Sequence, residues 1–560
     1  MASKRVLIVG GVAGGAACAA RLRRLDEHAE IFVYERGPDV SFANCGLPYY
    51  LGGVIKERQR LLIATPERFR DWLNVEVRIR HEVVRIDRAN KTVEIRNLAT
   101  GATGSERYDH LVLSPGSTPI RPNLPGIDMP GIFTLRNLED TDRIDAWIAQ
   151  RRPGKAVVVG GGYIGLEMAE NLVRRGLEVV ILEKTQQVMA PLDPEMAELA
   201  HQELRHQGVD LRLGTGAAAF EPGPDNRMRI TTDRGDRIVA GLVILAVGVR
   251  PDARIAQEAG LHIGPTGGIH VTDQMQTSDP AIFAVGDAVE VRDFVTGQPA
   301  LIPLAGPAAR QGRVAADVIC GRGSRFRGTQ GTAVVGLFDL TLATTGASEK
   351  TLRKLNMPFE KSLTHSTHHA GYYPGAEPMT LKLLYAPKDG KLLGAQGVGR
   401  AGVERRIDVI AMAIQKRGTV EDLEEAELCY APQYGSAKDP VNIAGFVAGN
   451  NLHGDVDLAH WEQWRDMAEK PVVVDVRTAA EAAAGAAPGT INIPLGELRT
   501  RLGELPKDRE IWVHCGVGQR SYYASRILRQ NGFRVRNLSG GMKSYQSLPK
   551  PSGPPPAAMP

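Results

Sequence analysis

The sequence has no apolar run approaching the roughly 20 residues that a membrane helix needs. Its longest, such as 242–249, fall far short, so no bilayer-spanning segment and no membrane partner are expected. Cysteine is scarce, with five in 560 residues: Cys18, Cys45, Cys320, Cys429 and Cys515. The number is odd and the spacing wide, which excludes the disulfide framework of a small secreted domain, so any cysteine that matters here matters as a thiol. Charge of one sign is lacking too. Lysine and arginine total 68 against 64 aspartates and glutamates, a formal charge of +4. The basic residues are scattered apart from a short patch at 21–24, and nucleic acid is not the expected partner. An apolar β-type stretch begins at Val6, which leaves no room for the long apolar segment of a signal peptide, and a cytoplasmic location is expected.

What is present is length and glycine. At roughly 100–200 residues per domain the chain accommodates about three to five domains. The 62 glycines, with 43 % hydrophobic and 24 % charged residues, describe a globular chain with many tight turns. An internal repeat organises the first half. Val6-Leu7-Ile8-Val9 runs into Gly10-Gly11-Val12-Ala13-Gly14-Gly15, then a helical stretch, then the strand 31–35 ending at Glu35. About 150 residues later Ala156-Val157-Val158-Val159 runs into Gly160-Gly161-Gly162-Tyr163-Ile164-Gly165, a helix, and the strand 179–183 ending at Glu183. These are two βαβ units of the dinucleotide-binding type. One glycine permits the tight turn, another lets the backbone approach a pyrophosphate, and a third allows close helix packing, while the helix N-terminus offers its N–H groups to the anion. Glu35 and Glu183 lie 20 and 18 residues past the last glycine of their loops, placed to accept hydrogen bonds from a ribose. The second loop matches G-x-G-x-x-G throughout; in the first, Val12 takes the middle position.

Two further segments, YDHLVLSPG at 108–116 and AIFAVGDA at 281–288, each place an apolar strand before a turn of small residues. In this order the motifs resemble the pyridine nucleotide-disulfide oxidoreductase family. The resemblance implies that the first unit binds FAD through Gly10, Val12, Ala13, Gly14, Gly15, Glu35, Ser117, Gly286 and Asp287, with Asp287 on the ribityl chain. The second unit, an inserted domain, would bind NADH, or NADPH, through Gly160, Gly162, Tyr163, Ile164, Gly165 and Glu183. Glu183 favours NADH because it would repel a 2′-phosphate, although Lys184 beside it offsets part of that repulsion. No metal is expected.

Two cysteines stand in chemical surroundings. Cys45 lies in SFANCGLPYY at 41–50, and Tyr50 stands where a partner cysteine would complete a redox pair. A lone thiol forms no internal disulfide, so its oxidised form pairs with an arriving thiol, a persulfide sulfur or oxygen. The string resembles the single-cysteine subgroup of coenzyme A disulfide reductases and NADH-dependent persulfide or polysulfide reductases. That resemblance implies coenzyme A contacts at Arg24, Ser41 and Asn44, and tyrosines brought from the partner subunit of a homodimer, Tyr434 and Tyr373. A solvated helix face is the competing reading of Arg21, Arg23 and Arg24, and dimer packing that of the tyrosines. Cys18, Cys320 and Cys429 read as structural.

Cys515 opens CGVGQR, directly after the apolar strand 511–514. A cysteine at a strand-to-loop turn, ringed by N–H groups and closed by Arg520, is held as a thiolate and cradles a sulfur substituent. This loop, with 475–477, 488–494 and 538–541, resembles the rhodanese domain, and its six-residue length fits sulfur transfer.

The expected fold class is α/β: two Rossmann-like dinucleotide-binding domains, an α+β dimerisation domain and a C-terminal α/β rhodanese domain. The boundaries read as FAD-binding 1–117 and 248–325, NAD(P)H-binding 118–247, dimerisation 326–447, a linker 448–455, rhodanese 456–548 and a disordered proline-rich tail 549–560. The resemblance implies an FAD-dependent NADH:persulfide or polysulfide reductase acting on coenzyme A persulfide and releasing sulfide. Coenzyme A disulfide reduction and a sulfur-carrier role with a regulatory reductase half are the alternatives.

Overall fold

The structure, a computed structural model, describes residues 3–549. All but the first residue of the tail expected at 549–560 lies outside the described residues. The chain divides into two compact units, one of Met1–Thr185 with Gly208–Gly331, the other of Gln186–Gln207 with Thr332–Pro560.

The first unit holds two five-stranded parallel sheets. In one, Arg5–Val9 lies between His110–Leu113 and Glu30–Glu35, with Ile282–Ala284 and Glu76–Ile79 at the edges. In the other, Lys155–Val159 lies between Glu178–Glu183 and Leu242–Leu245, with Asp210–Leu213 and Ile132–Phe133 outside. The strands read as unbroken apolar runs because parallel sheets covered on both faces bury every position. Val6, Leu7 and Ile8 are fully buried, as are Ala156, Val157 and Val158. Each central strand is followed by its glycine turn and a helix, Ala13–Leu25 or Tyr163–Arg174.

The second unit holds a five-stranded antiparallel sheet in the order Ala333–Leu337, Leu340–Gly346, Leu392–Gly399, Pro378–Tyr385, Glu360–Thr367. The helices Val403–Gln415 and Pro440–Leu452 pack on it. After them comes a five-stranded parallel sheet in the order Asp457–Ala459, Val535–Leu538, Ile511–His514, Val472–Asp475, Thr490–Asn492. Its strand Ile511–His514, buried throughout, delivers Cys515.

One expectation about the chain's course is corrected. The linker expected at 448–455 is helical through Leu452, the end of the helix Pro440–Leu452. Gly445 and Gly449 belong to its packed face. A Cβ at Gly445 would come within 2.7 Å of the Glu424 backbone nitrogen, and one at Gly449 within 1.9 Å of Glu424 Oε1. The glycines serve close packing there, not chain flexibility. The segment Gln186–Gln207, inside the span expected to form the nucleotide domain, clusters with the second unit. Its acids explain the membership: fully buried Lys382 Nζ lies 2.9 Å from Asp193, 2.5 Å from Glu195 and 2.7 Å from Glu349.

Candidate functional site

The two glycine loops repeat one construction. Gly10 and Gly160 take φ of +91° and +107°, and a Cβ on either would fall 2.1 Å from Ser114 O or 2.3 Å from Ala246 O. Gly15 and Gly165 lie over these turns, where a Cβ would meet Gly10 O at 1.9 Å or Gly160 O at 2.0 Å. These four positions admit no side chain. The acid ending the next strand closes each loop: Glu35 accepts from the N–H groups of Gly11 at 2.9 Å and Gly37 at 2.8 Å. Glu183 accepts from Gly161 N at 2.7 Å and from Thr185 N and Oγ1 at 2.8 Å.

Differences between the loops have local causes. Gly14 packs against the helix Ala305–Ile319, with its own carbonyl only 2.3 Å from where a Cβ on Gly312 would stand. Its counterpart Ile164 is 37 % exposed. Val12 and Gly162 precede their helices with ordinary negative φ, and a Cβ on Gly162 would meet nothing within 4 Å. Neither backbone strain nor protein packing calls for glycine at 162, which leaves close approach by a ligand as its use. Ala13 and Tyr163 open the two helices, neither of which has a side-chain cap or an acid in its first turn. The orphan N–H groups at both ends thus suit a pyrophosphate. Past the first sheet, Ser117 Oγ donates to Asp287 Oδ2 at 3.1 Å. Burial pushes the Asp287 carboxyl up, against the pull of Ser117 and Arg136. The turn Gly286–Ala288 carries this acid, with Gly286 at φ +83°.

Cys45 is exposed, in the short turn Asn44–Gly46 before the helix Leu47–Leu51. Ser41, at φ +49°, anchors the segment: its N–H donates to Gly11 O at 2.9 Å, and its carbonyl accepts from Ile63 N at 2.8 Å. The cysteine segment is therefore tied to the first glycine loop. Although the residue is exposed overall, partial enclosure of its sulfur, and the charges of Glu167 and Asp287, push the Cys45 thiol up. Glu167 sits on the helix after the second loop and accepts from Tyr49 Oη at 3.3 Å. Burial raises its carboxyl to about 7. Sequence reasoning missed Glu167 and Tyr49; no spacing rule links positions 118 residues apart.

The basic patch resolves into three roles. Arg23 is buried and donates to five backbone carbonyls, among them Leu73 O and Ala29 O at 2.7 Å. Arg21 pairs with Asp317 at 2.8 Å. Only Arg24 is exposed, so the solvated-face reading fails for Arg23. Ser41 is buried, while Asn44 is exposed beside Cys45.

Tyr373 and Tyr434 belong to the second unit, on segments joined by Ala370 N donating to Gly435 O at 2.9 Å. Both rings are exposed, as are Tyr372 and Tyr430, whose hydroxyls lie 3.0 Å apart. Arg405 holds the carbonyls of Tyr434 and Cys429 at 3.0 and 3.2 Å. Cys429 is exposed, in the irregular segment between the helices Val420–Glu424 and Pro440–Leu452. Cys18 is buried and Cys320 partly so, as expected of core thiols.

Cys515 lies at the floor of its loop, 1 % exposed. Gly518 N donates to its Sγ at 3.2 Å and Ser521 Oγ at 3.5 Å, while its carbonyl accepts from Met542 N at 2.7 Å. Gly541 is obligatory there, since a Cβ would stand 2.4 Å from Cys515 O. Arg520 leans over the loop and pairs with Glu481, a partner that sequence reasoning also missed. The signal was Thr478-x-x-Glu481, a capping box at a helix start. Among the described residues no helix is long and apolar enough to cross a membrane.

Comparison with known proteins places these features. Residues 4–312 match the family model for pyridine nucleotide-disulphide oxidoreductases, 332–439 that for their dimerisation domain, and 461–548 that for rhodanese-like domains. A coenzyme A disulfide reductase of Staphylococcus haemolyticus is 36 % identical over 446 residues, covering 80 % of this chain and 99 % of its own. Among solved structures, reduced Bacillus anthracis CoADR-RHD is 48 % identical with a TM-score of 0.96, over 98 % of both chains. An NAD-dependent persulfide reductase from A. fulgidus is 37 % identical with a TM-score of 0.90, over 97 % of this chain and all of that one.

Proposed function

The chain belongs to the pyridine nucleotide-disulphide oxidoreductase family, and from that premise we propose that it is an FAD-dependent NADH:persulfide reductase, acting on coenzyme A persulfide or polysulfide and releasing sulfide. The observation that carries this reading is the complete Cys515 loop, with two donors on a buried sulfur, in one chain with a reductase thiol, Cys45, that has no cysteine partner at position 50. A likeness along the whole chain to an NAD-dependent persulfide reductase supports it.

Cys45 Sγ, as thiolate, attacks the inner sulfur of coenzyme A persulfide. A Cys45–coenzyme A disulfide forms, the persulfide S–S bond breaks, and its outer sulfur leaves with its proton as HS⁻. FAD and NADH, when bound, would supply the two electrons that, with two protons, return that disulfide to two thiols. The chain's own contribution is placement. Gly10 and Gly160 shape the turns, the free N–H groups at 13–15 and 163–165 receive pyrophosphates, and Glu35 and Glu183 accept from riboses. Asp287 with Ser117 holds the ribityl chain. Arg24, Ser41 and Asn44 contact coenzyme A, and Tyr373 and Tyr434 act across a homodimer interface as hydrogen-bond donors to the leaving sulfur. Cys515 carries sulfane sulfur beneath Arg520. In this reading the FAD-binding domain is 1–117 with 248–325, the NAD(P)H-binding domain 118–247, the dimerisation domain 326–447 and the rhodanese domain 456–548, NADH is preferred over NADPH, and the site of action is the cytoplasm.

Coenzyme A disulfide reduction is the second reading, favoured by curated relatives of that name at 36–37 % identity. Turnover of coenzyme A persulfide and coenzyme A disulfide by wild type and Cys515→Ser separates the two. The persulfide is expected to be the better substrate. Disulfide as much the better substrate, with the variant unaffected, overturns the proposal.

A further inference from the structure

The loop from Cys515 to Arg520 contains one charged residue, Arg520, and its fork is already engaged. Nη1 donates to Glu481 Oε2 at 2.8 Å and Nη2 to Oε1 at 2.7 Å, a two-pronged pair that fixes the plane of the guanidinium as well as opposing its charge. Glu481 is itself held in place. Its Oε2 also accepts from Thr478 N at 3.0 Å and Thr478 Oγ1 at 2.9 Å, closing the box that starts the helix Ala479–Ala483. Arg520, with the Thr478 N–H, holds the Glu481 carboxyl down at about 2, so the pair is ionised throughout the neutral range. The other donors toward the buried sulfur are neutral: Gly518 N–H and Ser521 Oγ. A donor reaching Cys515 therefore meets an arginine whose charge is matched by a fixed carboxylate.

We propose that Glu481 is a positioning residue that sets the charge of the sulfur donor taken at Cys515, admitting persulfides of thiols and disfavouring compact dianions such as thiosulfate. The proposal rests on the sulfur-transfer reading of this loop and adds the class of donor. With a persulfide, the Cys515 thiol takes the outer sulfur: a Cys515 S–S bond forms, the donor's S–S bond breaks, and the donor departs as a thiol with the proton. With thiosulfate the same attack by the thiolate releases sulfite, and both negative charges of the dianion must first come close to Glu481. Repulsion between like charges at such range, screened near the surface, amounts to roughly a fivefold to tenfold effect on binding.

The test is steady-state thiocyanate formation by the full-length, FAD-loaded protein. Cyanide accepts the sulfur from the Cys515 persulfide and regenerates the thiolate, and either thiosulfate or coenzyme A persulfide serves as donor. In Glu481→Gln, which keeps the shape and one acceptor oxygen, KM for thiosulfate is expected to fall by about fivefold to tenfold relative to KM for the persulfide. Glu481→Asp, which keeps the charge, should hold the wild-type ratio. A general weakening of the helix would lower kcat for both donors together and leave the KM ratio alone. A KM ratio in Glu481→Gln equal to wild type overturns the proposal, as does a ratio that moves equally in Glu481→Asp. If wild type and Cys515→Ser form thiocyanate alike from both donors, the sulfur-transfer reading itself falls.

Discussion

Cys45 and Cys515 are treated in opposite ways by their surroundings. Cys515 is buried and receives two hydrogen bonds on sulfur, whereas Cys45 is exposed beside two acids that oppose its thiolate. Glu167 contributes most of that opposition after burial, and its own carboxyl, raised to about 7, changes charge in the neutral range. The sign follows directly. Below about 7 Glu167 is neutral and leaves Cys45 alone; above it, a carboxylate disfavours a second negative charge nearby and holds the thiol protonated to higher pH. Glu167→Gln removes that charge, so the pH profile of Cys45 alkylation by iodoacetamide should shift to lower pH, with Cys45→Ser as the blank. A profile that stays in place, or moves up, contradicts this coupling. Both cysteines were legible in the sequence because each lies in a contiguous string with its own grammar. Glu167 and Glu481 were not, since each reaches its partner only through the fold, across 118 residues to Tyr49 and 39 to Arg520.

Among the elements, the paired strand–turn–helix units were read correctly because their requirements are local. Gly10, Gly15, Gly160 and Gly165 are each excluded from bearing a side chain by backbone atoms of their own turn or the neighbouring strand. The middle position separates packing from binding. A Cβ on Gly162 meets no protein atom within 4 Å, and φ there is −80°, so Gly162→Ala should fold with an unchanged melting temperature. If the pyrophosphate of NADH approaches this backbone, KM for NADH should nevertheless rise by roughly tenfold, the size of one charge-assisted hydrogen bond lost. Unaltered KM in a stable Gly162→Ala would show that the second loop holds its ligand elsewhere. The misread element has an equally local cause. Ala448-Gly449-Asn450-Asn451 has the composition of a linker, yet it completes a helix because glycine at 445 and 449 lets that helix approach Glu424. Composition records small residues but not whether they serve flexibility or close packing.

At the scale of the whole molecule, the rhodanese-like domain and the antiparallel sheet belong to one compact unit. The edge strand Glu360–Thr367 makes the join: Leu363 N donates to Ser539 Oγ at 2.9 Å, His365 Nε2 lies 2.9 Å from Ser544 Oγ, and buried Lys361 pairs with Glu462. An otherwise bare sheet edge is thereby covered by the domain that carries Cys515. None of this was legible in advance, because the order of domains in a chain does not specify which faces meet. The excursion Gln186–Gln207 belongs to the same unit through Lys382, whose three carboxylates come from two distant segments, Asp193 with Glu195 in one and Glu349 in the other. The central claim is that this assembly uses NADH to reduce a persulfide at a single thiol. Its most direct test is NADH oxidation by the purified, FAD-loaded protein with coenzyme A persulfide, following sulfide release, in wild type and Cys45→Ser. Rapid oxidation with one sulfide released per NADH, abolished in the variant, is the predicted result; oxidation without sulfide, or sulfide release that survives Cys45→Ser, would contradict it.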